Sequence, residues 1–144
     1  MSYHHLALAT KDMNEIHNFY ETIMGFHLVK VEIAPINEGG WAKHFFYSMD
    51  KEHTSFIAFW ELHNVPGCIE METNLSKASG LPDPINHFSF SVNSIEQLDA
   101  HIAELTSNNY TVLPLEKIVV KLKSGQALPN RTVGISIDDG YKSI

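Results

Sequence analysis

The chain has 144 residues, 44% of them hydrophobic, which is sufficient for one domain with a substantial core. Its 10 basic and 17 acidic residues give a formal net charge of −7 without a basic run or basic–aromatic stripe, which argues against a nucleic-acid partner. The single cysteine, Cys68, excludes an intramolecular disulfide and a cysteine-based zinc cluster. Without an apolar run long enough to span a membrane or a signal-peptide pattern, we expect a soluble, cytoplasmic protein.

The first part of the chain predicts a strand, a helix and three further strands. Strand-like residues 3–9 are followed by Asp12 and Glu15, a loose capping box, and by helical apolar spacing from Met13 that stops at Gly25. Alternating runs at 27–34, 41–49 and 54–62 predict the strands. Residues 64–84, which contain several Pro and Gly residues, are interpreted as a linker.

The same order of features returns after the linker, which indicates a duplicated unit. His87 follows His5 by 82 positions (87 − 5), each in a strand-like segment, and Ser94 with Gln97 forms a capping box. The same offset carries Met13, Ile16, Tyr20 and Ile23 onto Ile95, Leu98, Ile102 and Leu105. We predict strands at 85–91, 110–113, 118–122 and 132–137 around this second helix.

Three residues are candidates for a metal site. A pseudo-twofold arrangement would bring His5 and His87 to matching positions. Glu61 shares one face of its strand with Ile57 and Phe59, and a carboxylate on an apolar face needs a partner, which a divalent cation supplies directly. The alternative is that the strand histidines are hydrogen-bonded structural residues. The remaining histidines have no repeat-matched counterpart and are interpreted as surface or structural residues.

The chain also resembles a known family. Residues 4–13 and 19–26 are similar to the opening of glyoxalase, bleomycin-resistance and extradiol-dioxygenase proteins, and residues 39–47, 57–63 and 86–90 resemble the later strands of the same vicinal-oxygen-chelate superfamily. The resemblance implies an α+β fold in which two tandem βαβββ modules form a cupped mixed sheet. Within a single domain over 1–144, module one is 1–63, the linker 64–84 and module two 85–144.

The resemblance also implies a divalent metal on the concave side of the sheet, held by His5, Glu61 and His87. The fourth ligand in such proteins is usually a glutamate on the last strand, and this sequence has no glutamate after Glu116. We therefore expect three protein ligands, with water or substrate completing the shell. Binding of Asp138, Asp139 or His63 to the same ion would contradict this expectation.

Two histidines and one carboxylate suit Fe²⁺, and also Zn²⁺, Ni²⁺ or Mn²⁺, so the ligands do not choose the reaction. One interpretation is a dioxygenase-like enzyme. Another is a glyoxalase-like isomerase or lyase in which Glu61 is catalytic and shuttles a proton. The third is a metal-free protein that binds a small planar molecule between aromatic walls, for which the candidates are Phe45, Tyr47, Phe59, Trp60, Phe88 and Phe90. Unpaired sheet edges and the family resemblance also predict a homodimer.

Overall fold

The computed structural model describes residues 3–82 and 85–136, which fall into two compact units, one ending at Phe90 and the other beginning at Ser91. The fold is α+β, as predicted, with a mixed four-stranded sheet in the first unit and a two-stranded sheet in the second. Within the described residues, no helix combines the length and apolar character required to cross a bilayer.

The first unit has the predicted order of one strand, one helical segment and three strands. Its sheet has the order β1-β4-β3-β2, in which β1 pairs parallel with β4 and the other neighbours are antiparallel. The elements are β1 (His5–Thr10), α1 (Met13–His17), a π-helical continuation (Asn18–Ile23), β2 (His27–Pro35), β3 (Trp41–Ser48), β4 (Phe56–His63) and the short helix α2 (Leu75–Ala78).

The helical segment after β1 covers one face of this sheet. Asp12 caps α1, as predicted, because its Oδ1 accepts hydrogen bonds from the backbone N–H groups of Asn14 (2.9 Å) and Glu15 (3.1 Å). The buried core joins helical and strand residues that the apolar spacing had placed on inward faces. These residues are Met13, Tyr20, Tyr47, Ile57 and Phe59.

The turn between β2 and β3 requires glycine for two reasons. Gly40 has a φ of +78°, in the left-handed region that favours glycine. A Cβ at this position would also collide with the backbone carbonyl oxygen of His63 and lie 2.6 Å from the carbonyl carbon of Asn64. The turn therefore packs directly against the chain leaving β4, which fixes the end of that strand.

The second unit contains two helices and a pair of parallel strands. Ser94 Oγ accepts from the backbone N–H of Gln97 at 3.2 Å, and Gln97 Oε1 accepts from that of Asn93 at 3.0 Å, so both members of the predicted capping box are used. The elements are α3 (Ile95–Ser107), β5 (Thr111–Pro114), α4 (Leu115–Lys123) and β6 (Thr132–Ile135).

Two of the predicted strands in the second repeat are corrected by the structure. The strand predicted at 118–122 is wrong, since these residues belong to helix α4, where Ile118 is buried and Lys121 and Lys123 occupy the favourable last turn. Residues 85–91 form no strand; Asn86 instead donates to the carbonyl of Leu75 at 3.1 Å, at the start of α2. The predicted order of one strand, one helix and three strands is thus found in module one, the tandem repeat stays a prediction, and residues 137–144 lie outside the described chain.

Candidate functional site

The sheet of the first unit has two chemically different faces. Ile57 and Phe59 of β4 point toward α1 and the core, and we call this side the core face. Because side chains alternate along a strand, Phe56, Ala58 and Trp60 point to the opposite side, which we call the open face. Every candidate site residue on β1 to β4 can be assigned to one of these two faces.

Glu61 lies on the core face and has its own protein partners. It is 8% exposed and pairs in register with Thr10 of β1 and Lys43 of β3. Its Oε2 accepts hydrogen bonds from Lys43 Nζ at 2.6 Å and His63 Nε2 at 2.8 Å, and its Oε1 accepts from the backbone N–H of Met13 at 2.9 Å. The charge of this buried carboxylate is therefore compensated by a lysine, a histidine and the N-terminus of a helix.

These bonds determine the ionisation of Glu61. Burial alone would raise the pKa of its carboxyl, but the hydrogen bonds from Lys43, Met13 and His63 outweigh burial and hold the pKa below the ordinary range of a glutamate. The His63 ring also stacks on Trp41, with centroids 3.9 Å apart and planes 7° from parallel. Glu61 is thus held as an anion by partly exposed partners, the side chains of Lys43 and His63, and by the backbone of Met13.

His5 lies on the open face, at the other end of β1. His5 pairs with Phe56. It lies five residues before Thr10, which is the residue that pairs with Glu61. Five residues of strand correspond to about 16 Å, and an odd number places the two side chains on opposite faces. The His5 ring contacts Phe46 with centroids 5.5 Å apart, and its Nδ1 lies 2.8 Å from Nδ1 of His4.

The structure does not bring the three predicted ligands together. His87 is exposed, outside any strand, with its Nδ1 3.2 Å from the carbonyl oxygen of Ile85. In the described part of the chain, no group of three His, Cys, Asp or Glu side chains is arranged to hold a metal ion. His5, Glu61 and His87 therefore do not fit a shared divalent metal in this arrangement.

The open face carries a cluster that sequence reasoning missed, centred on His44. This histidine is 5% exposed, stacks on Trp60 with centroids 3.7 Å apart, and has its Nδ1 3.5 Å from Glu32 Oε2. Burial lowers the pKa of His44 and outweighs the opposing effect of Glu32. The signal available in the sequence was alternation, because Ala42, His44 and Phe46 occupy every second position of β3.

A pocket of about 280 Å³ opens beside this cluster, within the first unit. Its lining consists of His4, Val29, Lys30, Phe46 and Phe56. Lys30 Nζ lies 5.1 Å from the centre of the Phe46 ring and 2.9 Å from Glu32 Oε1. The pocket thus combines aromatic walls with one ammonium group, a chemistry that suits a planar molecule bearing negative charge.

The aromatic walls predicted from the sequence are mostly elsewhere. Tyr47 and Phe59 are core residues, and Phe45 packs against the same core. Phe90 contacts Phe26 with centroids 5.2 Å apart, and Phe88 contacts Phe90. Of the six predicted wall residues, Trp60 alone belongs to the open face, whereas Phe46 and Phe56, which line the pocket, were not among them.

Comparison with known proteins agrees with this architecture. The description of the matching family is Glyoxalase/Bleomycin resistance protein/Dioxygenase superfamily, and the match covers residues 2–115. Searches of curated proteins and of solved structures found no match. Since the family match spans most of the chain and includes the whole strand-helix-three-strand module, the chain belongs to the Glyoxalase/Bleomycin resistance protein/Dioxygenase superfamily.

Proposed function

We propose that this chain is a binding member of its family, which takes a small planar anion on the open face and does not use His5, Glu61 and His87 as a shared metal site. The observation that carries the proposal is the engagement of Glu61. Both of its oxygens already accept hydrogen bonds from Lys43, His63 and the backbone of Met13, on the face opposite to His5. A metal would have to displace these bonds and still could not reach His5.

The lining of the pocket supports the choice of ligand class. Phe46 and Phe56 offer ring surfaces, and Val29 adds an aliphatic contact. Lys30 is 54% exposed at its side chain and pairs with Glu32, so its ammonium can exchange this surface partner for a ligand carboxylate at low cost. A benzoate-like acid matches these groups in size and charge.

The metal-dependent activities stay predictions. A dioxygenase-like or glyoxalase/isomerase-like reaction, with Glu61 as the catalytic residue and Fe²⁺, Zn²⁺, Ni²⁺ or Mn²⁺ as the ion, would require β1 and β4 to change register or Glu61 to leave its partners. The homodimer and the cytoplasmic location are likewise parts of this proposal.

The test uses two-dimensional amide NMR of the whole chain after dialysis against EDTA. We expect benzoate to cause saturable shifts at the amides of Val29 and Lys30, and benzyl alcohol, a neutral analogue of similar shape, to bind more weakly. Phe56→Leu should weaken benzoate binding by about threefold to tenfold through loss of an aromatic contact. Phe88→Leu, an exposed phenylalanine outside the pocket, is the matched control and should not change it.

Two results would overturn the proposal. The first is the absence of saturable benzoate shifts at the pocket, which would remove the ligand class. The second is stoichiometric metal in protein purified without chelator that disappears in both His5→Ala and Glu61→Gln, because the two residues would then share an ion.

A further inference from the structure

Strand β2 forms an edge of the sheet and leaves one side of its backbone without a strand neighbour among the described residues. Its nine residues make it longer than β1, β3 or β4. Val31 and Ile33, which pair with Phe45 and Lys43 on the core-face side, are 48% and 67% exposed. A long edge with exposed β-branched residues is a ready template for pairing with another strand.

The opposite face of β2 carries one charge of each sign. Lys30 and Glu32, which pair with Phe46 and His44 of β3, point to the open face with side chains 54% and 45% exposed. They flank Val31, the central residue of the strand. The sequence of the edge is therefore self-complementary: reversing its direction about Val31 exchanges the positive and the negative position.

This symmetry selects one antiparallel register between two copies. A twofold axis at Val31 places Lys30 opposite Glu32 of the partner subunit, Glu32 opposite Lys30 of the partner subunit, and the two Val31 residues opposite each other. The rungs formed in this register are those of Lys30, Val31 and Glu32, on the regular side of the shift between Leu28 and Lys30. Axes at Lys30 or Glu32 would bring identical charges together, which destabilises a strand pair.

We propose that β2 is the interface of a homodimer, in which two copies of this chain join their β2 edges about a twofold axis at Val31 into one eight-stranded sheet. The inference rests on the homodimer proposed above and specifies its surface. The bulge beside Val29, between the registers of Leu28 and Lys30, limits the regular pairing to the three central rungs of Lys30, Val31 and Glu32, which are the rungs that carry the charges. The other open edge, β1, has no charged residue and so no comparable complementarity.

The first experiment measures association by sedimentation velocity over a concentration series. We expect the wild type to be a dimer. Lys30→Glu should raise the dimer dissociation constant by at least about tenfold, because both cross-strand attractions become repulsions. The double variant Lys30→Glu/Glu32→Lys, which retains each intrachain pair and each pair across the axis, should restore it. Circular dichroism checks that all variants are folded.

The second experiment locates the axis by disulfide formation in a Cys68→Ser background, which removes the single native thiol. Val31→Cys should form a covalent dimer on mild oxidation, because two residues facing each other across antiparallel strands have Cβ atoms about 4.5–5.5 Å apart. Ile33→Cys is the matched control. Its two copies would lie about 13 Å apart along the strands and should not join.

The outcomes separate the homodimer from its interface. A wild type that sediments as a monomer at all concentrations overturns both. A dimer that is insensitive to the charge variants, or in which Ile33→Cys joins as readily as Val31→Cys, overturns the β2 interface alone. Because Val29 and Lys30 belong to both the pocket and the β2 edge, benzoate binding is titrated at one fixed protein concentration, and its loss in Phe56→Leu, which lies outside β2, bears on the pocket alone.

Discussion

Replacing Glu61 by glutamine removes the carboxylate charge while keeping the size and shape of the side chain. Oε2, which accepts from Lys43 and His63, and Oε1, which accepts from Met13, cannot both remain acceptors in an amide. A hydrogen bond to a charged group contributes about 1.5–3 kcal/mol. Because the Lys43 side chain is 28% exposed and can turn to water, we expect a loss of about 2 kcal/mol in the free energy of unfolding at pH 7.

The pH dependence of this loss has a definite sign. The folded pKa of Glu61 lies below its unfolded value, so its contribution is complete above about pH 4.3 and is lost as the pH falls through the folded value. The difference between wild type and Glu61→Gln should therefore be constant from pH 7 to pH 5 and shrink below that. Urea unfolding followed by tryptophan fluorescence measures it, since Trp41 and Trp60 both lie in the first unit.

The control for this experiment is Glu52→Gln, in the exposed turn before β4, which should change stability by no more than about 0.5 kcal/mol. Equal stability of wild type and Glu61→Gln at pH 7 would refute the reasoning. So would a wild type that loses stability in EDTA and regains it with Zn²⁺ while the variant does not respond, because Glu61 would then be acting as a metal ligand.

Three further tests of the fold use five substitutions. Gly40→Ala should cost roughly 3 kcal/mol or more because its Cβ would meet backbone, whereas Gly67→Ala, with the same φ of +78° and no atom within 4 Å, should cost about 1–2 kcal/mol; urea unfolding compares them. Burial raises the pKa of Tyr47 well above its usual range, so stability should fall as the pH rises above about 10, where only the unfolded chain loses this proton, and Tyr47→Phe should reduce that slope. Ile118→Ala should cost about 2–4 kcal/mol and Val120→Ala, at a position 65% exposed, less than about 0.5 kcal/mol; equal losses would contradict helix α4.

The sequence predicted the first module well because its signals are local. Capping at Asp12, helical spacing from Met13 and two-residue alternation in the later strands act over a few residues each. The short apolar run 118–122 was ambiguous, since a buried helix and a buried strand look alike over five residues. Its charges, with Glu116 before and Lys121 and Lys123 within and after it, were the evidence for a helix.

The candidate site could be predicted only in part, because its contacts depend on strand register. Alternation correctly placed Glu61 on one face with Ile57 and Phe59, and the requirement for a partner was correct. The partner, Lys43, lies 18 residues away on β3, and nothing in the alternation of either strand specifies which residues become neighbours. For the same reason, the sequence alone did not show that His5 and Glu61 point to opposite faces of the sheet.

The parallel pairing of β1 with β4 bears on the order in which the first unit folds. β2, β3 and β4 follow one another through short turns, whereas β1 pairs with a strand that begins 51 residues later (56 − 5), and the bond from Met13 N–H to Glu61 closes the same long loop. Closing such a loop is entropically costly, so we expect β1 to dock after the three-stranded meander has formed. Leu8→Ala should then accelerate unfolding in stopped-flow experiments and leave the folding rate nearly unchanged; slower folding would place β1 in the transition state. With this order of folding, the lifetime of the closed core depends on how long the N-terminal strand remains bound.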